Sequence, residues 1–175
     1  MDALSFCVPL RVPQRPWRLS NSFSTSYRRF SQRIIKKMSE ENKALMRRWF
    51  EEVWNQGRAE AIPEMFADEG IAHGLSDDPA SPLRGPTGFQ PFHAQFREAF
   101  PNIEVFVEDQ IAEGDLVATR CSVRGKHTGD GLGIAATGSP VDFTGITITR
   151  IKDGKIVEAW NNFDFMKMYR QLGAI

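Results

Sequence analysis

One stretch near the C-terminal end of the sequence is the most informative about the fold: Asp153-Gly154-Lys155-Ile156-Val157-Glu158-Ala159-Trp160-Asn161-Asn162-Phe163-Asp164. Asp-Gly between two alternating apolar runs is a strong signal for a two-residue hairpin turn. The runs over residues 146–151 and 155–163 are therefore predicted to pair as antiparallel strands. Because side chains alternate along a strand, we expect one face of the second strand to carry Ile156, Glu158, Trp160, Asn162 and Asp164.

Asp164 is the candidate acid of that face. If the face lines a cavity, Asp164 is a carboxyl group in half-apolar surroundings, which suits general acid–base chemistry. The alternative is that Asp164 caps a short helix predicted over residues 165–172 and closed by Gly173. The residues alone leave both alternatives open.

The rest of the domain divides into helices followed by strands. Apolar residues recur at three- and four-residue spacing up to about residue 100, and at two-residue spacing after it. This order predicts an α+β fold, with three N-terminal helices packed on one face of a curved, mainly antiparallel sheet and a short C-terminal helix. The predicted helices cover residues 39–57, 58–67 and 87–100, with Ser39 as the first N-cap, and the predicted strands cover 69–75, 103–111, 116–126, 141–151 and 155–163.

Charge divides the chain into two parts. Residues 1–37 carry eight basic residues and one acid, and subtracting these from the 22 basic and 22 acidic residues of the chain leaves 14 and 21. Residues 38–175, long enough for one domain, are therefore acidic, which argues against a nucleic-acid surface. No run is long and apolar enough for a membrane span. The two cysteines, Cys7 and Cys121, form no disulfide framework, which makes a soluble cytoplasmic protein the default.

Residues 1–37 are rich in serine and arginine and poor in acid, and we expect them to be disordered or at most a lone helix. That composition is typical of a mitochondrial or plastid transit peptide. The alternatives are a disordered leader, or upstream sequence with Met38 as the working start. The sequence favours none of the three.

Several segments resemble the SnoaL-like polyketide cyclase (ester cyclase) family, within the wider fold of nuclear transport factor 2 and ketosteroid isomerase. The resemblance extends from Ser39 to Ile175. It rests mainly on Trp49-Phe50-Glu51-Glu52-Val53-Trp54-Asn55-Gln56-Gly57, Gly125-Lys126-His127-Thr128-Gly129, and Asp153 to Trp160 with Asp164 and Gln171-Leu172-Gly173.

The resemblance implies a cone-shaped α+β barrel whose interior binds a small hydrophobic molecule, and a homodimer. It also implies a cyclase or isomerase without metal or cofactor, with Asp164 as general acid/base at the family's position. The cyclase would close a ring by intramolecular aldol condensation, and the isomerase would move a proton between carbon atoms of an enone. The loop after His127 departs from the family pattern, so a tricyclic substrate is in doubt. A ligand-binding module without chemistry, or a dimerisation module, is the alternative function.

The resemblance also implies a helper histidine for Asp164, and two residues are candidates: His127, in a His-Thr-Gly that recurs in the family, and His73, on the first strand. A histidine at a strand end is, however, more often a structural rim residue. His93, on the third helix, is expected at the surface or in an interface. The candidate substrate-binding residues are aromatic or amide side chains, which pack against rings or donate hydrogen bonds: Trp160, Asn162, Phe89 and Trp54.

Overall fold

The structure is a computed structural model that describes residues 21–76, 78 and 80–175. The chain separates into two units, residues 1–33 and 34–175. In the first unit, the described residues 21–33 are helical. Helices α1 to α4 cover Asn21–Trp49, Ile62–Met65, Gly85–Ala99 and Phe165–Leu172, and strands β1 to β6 cover Phe66–His73, Leu83–Arg84, Glu104–Glu113, Leu116–Lys126, Pro140–Lys152 and Lys155–Phe163.

The six strands form one open sheet in the order β2-β1-β6-β5-β4-β3. Strands β3 to β6 pair as an antiparallel meander, and the Asp153-Gly154 turn joins β5 to β6 as expected. Strand β1 adds to β6 in the parallel direction, and the two-residue strand β2 pairs with β1. The α+β fold class and the mainly antiparallel sheet are confirmed.

Helices and sheet enclose one apolar core. Trp49 at the end of α1 packs edge-on against Phe66 of β1, with ring centroids 6.2 Å apart. The same Trp49 ring lies 5.2 Å from Phe89 of α3. Phe96 of α3 reaches Phe165 of α4 at 5.6 Å. Within residues 34–175 the helices therefore cover one face of the sheet, which we call the inner face, and the opposite face is the outer face.

The first helix differs from its prediction at both ends. It begins at Asn21, so Ser39 lies inside the helix and is not an N-cap. At its other end the chain continues as a π-helical turn, Phe50–Asn55. Such turns are rare and widen the helix by one residue. The expected second helix is reduced to a 3₁₀ turn, Ala59–Ala61, and the short α2. Residues 1–20, to which part of the transit-peptide prediction applies, lie outside the described residues.

A β-bulge in β6 decides which residues face inward. Ile151 of β5 pairs with Ile156, but the preceding Arg150 pairs with Glu158, so Val157 is an extra residue without a partner. A bulge of this kind shifts the alternation by one position. The expectation that Ile156 shares a face with Trp160, Asn162 and Asp164 is therefore wrong.

Candidate active site

A cavity lies between the helices and the inner face of the sheet. Part of this cavity opens to solvent. No charged side chain lines the cavity among the residues that the structure describes. Such a cavity suits a neutral, mainly apolar molecule.

Aromatic rings form the helical wall of the cavity. Trp54 stands in the π-helical turn and its ring centroid lies 6.1 Å from that of Phe89, nearly perpendicular to it. Phe92 and Phe96 continue the wall along α3, with centroids 4.7 Å apart. The structure therefore places two predicted binding residues, Trp54 and Phe89, at the cavity.

The sheet supplies three polar lining residues, Thr147 and Thr149 of β5 and Asn161 of β6. Thr147 and Asn161 are cross-strand partners. The Asn161 side chain donates from Nδ2 to the backbone oxygen of His73 at 2.9 Å. All three groups are neutral, so they are suited to hydrogen bonds with the oxygen atoms of a ligand.

Asp164 lies at the edge of this cavity rather than in it. Its neighbours Phe163 and Phe165 line the cavity, but the Asp164 side chain is exposed. Its Oδ1 accepts a hydrogen bond from the backbone N–H of Lys167 at 2.8 Å, so it is the N-cap of α4. The capping alternative is therefore what the structure describes, and the catalytic role of Asp164 stays a prediction.

Trp160 and Asn162 lie on the outer face, because the bulge at Val157 turns them away from the cavity. The Trp160 ring stacks on His73, with an interplanar angle of 9°. His73 Nε2 donates to Glu158 Oε1 at 3.1 Å, since a carboxylate can only accept. The residues that line the cavity do not include Trp160, Asn162 or His73.

His127 is fully buried and holds the loop that follows β4. The backbone N–H of Thr137 donates to His127 Nδ1 at 3.2 Å, so the proton of the neutral ring is on Nε2. That Nε2 has no hydrogen-bond partner among the described residues. Its ring packs against Phe100 at 5.3 Å and does not line the cavity. The geometry gives His127 a structural position.

His93 is buried behind the aromatic wall, so its expected surface position is wrong. Its Nε2 donates to the backbone oxygen of Val53 at 2.7 Å, and its ring lies 5.2 Å from that of Trp54. Burial lowers the pKa of His93, against the opposing effect of the Val53 hydrogen bond, and the charge of Arg97 lowers it further. A neutral His93 therefore supports the Trp54 side of the cavity.

Sequence reasoning missed Asn161, Thr147 and Thr149. The alternation Ile146-Thr147-Ile148-Thr149 suggests that the isoleucines face the core, and the structure has the reverse. Phe143, four residues before Thr147, could have predicted the correct face. A large aromatic residue is usually buried, and Phe143, Thr147 and Thr149 lie on the same face of the strand.

The fold and this cavity agree with what comparison with known proteins finds. Residues 44–172 match the SnoaL-like polyketide cyclase family, to which the chain therefore belongs. It is 33% identical over 125 residues to the aklanonic acid methyl ester cyclase DauD of Streptomyces sp. (strain C5), covering 70% of this chain and 76% of that protein. Identity to the aklanonic acid methyl ester cyclase DnrD of Streptomyces peucetius is 32% over 124 residues, covering 70% and 84%.

Solved structures give the same result. IdmH, a putative polyketide cyclase from Streptomyces antibioticus, is 32% identical with a TM-score of 0.66, covering 75% of this chain and 98% of that one. A putative SnoaL-like polyketide cyclase from Jannaschia sp. CCS1 has a TM-score of 0.71 at 24% identity, covering 79% and 95%, and supports the fold alone. Within the described residues no helix is both long and apolar enough to cross a membrane.

Proposed function

We propose that this protein binds a small hydrophobic carbonyl compound in the aromatic cavity and closes a ring in it by intramolecular aldol addition. The observation that carries the proposal is a cavity of aromatic and neutral polar side chains in a chain of the polyketide cyclase family. The proposal needs no cofactor, because a methylene between two carbonyl groups is acidic enough for a carboxylate to deprotonate it in fixed geometry.

The reaction needs one group that takes a proton and returns it. The base removes a proton from the methylene carbon, the resulting enolate attacks a second carbonyl carbon, and the new alkoxide oxygen takes a proton back. A carbon–carbon bond forms and no atom leaves, so substrate and product have the same mass.

Asp164 is the proposed acid/base. It stands between the cavity residues Phe163 and Phe165, and the proposal requires a side-chain conformation that releases the Lys167 N–H and brings the carboxylate to the cavity. His73 and His127 are not part of the proposal, because His73 pairs with Glu158 on the outer face and His127 holds a loop with its Nδ1 occupied.

The first test is turnover. Purified protein is incubated with aklanonic acid methyl ester, on which two relatives act by name, and with smaller 1,3-dicarbonyl aromatic compounds. We expect a product of unchanged mass and altered chromatographic retention that heat-denatured protein does not form. If every compound of this class is recovered unchanged, the cyclase proposal fails.

The role of Asp164 is tested with a pair of variants. Asn and Ala both lack the carboxylate, but Asn preserves the N-cap while Ala loses it. We expect Asp164→Asn to keep the wild-type stability and lose turnover by at least about 100-fold, within the usual range for a general acid/base. Asp164→Ala should in addition lose about 1 kcal/mol of unfolding free energy. An Asp164→Asn protein with wild-type turnover would reduce Asp164 to a cap.

A second candidate function is ligand binding without chemistry. The observation that favours it is that the Asp164 carboxylate caps α4 and that no acidic side chain lines the cavity in the described ranges. Under this alternative the carbonyl compound binds and is released unchanged, and Asp164→Asn binds it as tightly as the wild type does.

A homodimer belongs to the same proposal. The outer face carries an apolar cross-strand row of exposed Ile111, half-buried Ala118, and exposed Ile148 and Trp160, with exposed Ile146 beside it. We call this row with Ile146 the outer stripe. An exposed apolar patch on a sheet favours association with a second copy about a two-fold axis.

A further inference from the structure

Thr149 carries the one fully buried polar atom of the cavity wall that is left without a hydrogen-bond partner among the described residues. The residue is 0% exposed, and the atom is its hydroxyl oxygen Oγ1. Buried hydroxyl groups nearly always have a partner, because an unsatisfied one costs free energy. An exception of this kind in a cavity wall needs an explanation.

Its neighbours cannot supply the partner. The cross-strand partners of Thr149 are Val117 on β4 and Ala159 on β6, which carry no polar side-chain atom. The contrast is with the cross-strand neighbours of Thr147, two residues earlier on the same face, which are Thr119 on β4 and Asn161 on β6. There, Thr119 accepts from Gln110 Nε2 at 3.3 Å, and Asn161 donates to the His73 backbone. The polar side chains of the neighbouring strands are thus bonded within the protein, whereas Thr149 is not.

The surroundings also limit what the partner can be. A bound water molecule requires two to four polar partners, and apolar Val117 and Ala159 flank Thr149. An ionised group would lie in a cavity without a charged side chain in the described part of the chain, which is costly. A neutral oxygen atom carried by an otherwise apolar ligand meets both conditions.

We infer that the Thr149 hydroxyl is a specificity residue that donates a hydrogen bond to a carbonyl oxygen of the ligand. This inference rests on the proposed function and adds the orientation of the ligand. The oxygen-bearing edge lies toward β5, and the ring faces Trp49 and Phe89 across the cavity. A ketone attached to a flat aromatic ring has both required features. Its carbonyl oxygen accepts the hydrogen bond of the Thr149 hydroxyl, and its ring packs against the aromatic wall.

The experiment compares two inert probes of one shape, 2-acetylnaphthalene and 2-isopropenylnaphthalene. They differ only in that C=O is replaced by C=CH₂, so the difference in affinity measures the hydrogen bond. Equilibrium dialysis against the full chain gives both dissociation constants. We expect the ketone to bind about tenfold more tightly, the effect of one hydrogen bond of about 1.4 kcal/mol.

Two variants assign that difference to Thr149. Thr149→Val replaces the hydroxyl by a methyl group of similar size and should remove the tenfold preference without weakening alkene binding. Thr149→Ser keeps the hydroxyl and should retain the preference. Thr149→Val should also raise the melting temperature of the free protein by about 2–4 °C, because an unsatisfied buried hydroxyl is removed. A hydroxyl with a purely structural role would lower it.

Equal binding of ketone and alkene by the wild type overturns the inference, as does a preference that survives in Thr149→Val. A lower melting temperature of Thr149→Val overturns it too. The cyclisation assay separates this from the proposed function. Turnover with no ketone preference leaves the cyclase standing without Thr149, whereas failure of both probes to bind, together with absent turnover, removes both.

Discussion

The two faces of strand β5 differ in a way opposite to that of an ordinary strand. On the inner face Thr147 is 3% exposed and Thr149 is 0% exposed, whereas on the outer face Ile146 and Ile148 are 48% and 43% exposed. Antiparallel sheets usually bury the apolar residues and expose the polar ones. Here the middle of the strand does the reverse.

This reversal is what the two proposals predict, a bound ligand on the inner face and a second copy of the chain on the outer face. Threonines on the inner face provide polar atoms in a cavity, which fits the proposed ligand. Isoleucines on the outer face leave apolar surface that fits the proposed second copy. Nearer its start the same strand keeps the ordinary pattern, since Val141 and Phe143 are buried. The cavity wall on this strand therefore begins with a buried apolar residue, Phe143, and continues with the two threonines.

The largest effect is expected from the ordinary part of the strand. Phe143 is 2% exposed, and Phe143→Ala should lower the unfolding free energy by about 3–5 kcal/mol. Ile146→Ala, on the opposite face of the same strand, should lower it by no more than about 1 kcal/mol. Urea denaturation at low protein concentration measures both. Similar losses in the two variants would mean that both faces contribute to the core.

The next effect concerns the outer stripe. Ile148→Asp places a charge on it, and a two-fold interface would bury that charge twice. We expect the dimer dissociation constant to rise about 100-fold, with an unchanged circular dichroism spectrum. Sedimentation equilibrium measures it. Ile175→Asp, at an exposed site on the last residue, is the control and should leave the constant unchanged. A wild-type protein that is monomeric at all concentrations contradicts the homodimer.

The smallest effect extends the comparison to two histidines, His93 behind the cavity wall and His73 on the outer face. Burial lowers the folded-state pKa of His93, so the unfolded state binds more protons. The unfolding free energy is therefore unaffected by His93 above the unfolded-state pKa of about 6.5. Below that pH, protonation of His93 in the unfolded state lowers the unfolding free energy by at most about 1.4 kcal/mol per pH unit.

The measurement is the unfolding free energy between pH 7.5 and pH 5. His93→Gln should flatten the decrease, although its absolute stability is lower because the Val53 hydrogen bond changes. His73→Gln is the matched control on the outer face. If the two variants have the same pH profile as the wild type, protonation of His93 does not control acid stability.

Local signals predicted much of this fold. The Asp153-Gly154 turn, the strands β4 to β6 and the helix α4 closed by Gly173 each have short-range causes in the chain. A turn type, a period of two and a left-handed glycine depend on residues that are neighbours in sequence. These features could be read without knowledge of tertiary contacts.

The site was less predictable, for a physical reason. Which residues of β6 reach the cavity depends on one unpaired residue, Val157, and nothing in its chemistry marks it as a bulge. An aspartate between the end of a strand and the start of a helix has the same sequence signature as a cap and as a catalytic acid, so the sequence left both open for Asp164. Trp54 and Phe89 lie at the cavity as predicted, because each belongs to an apolar stripe that recurs along a helix, and the π-helical turn that contains Trp54 leaves its ring in the cavity wall.

The bulge at Val157 also affects how this chain should be aligned with others. Removing one residue there would turn the inward-facing side chains from Glu158 onward outward and the outward-facing ones inward, although the chain would be only one residue shorter. If an alignment gap is placed one position away from Val157, cavity-lining residues of one protein are aligned with outer-face residues of the other. Alignments of this strand become informative about ligand choice only when the unpaired residue is used as the fixed point.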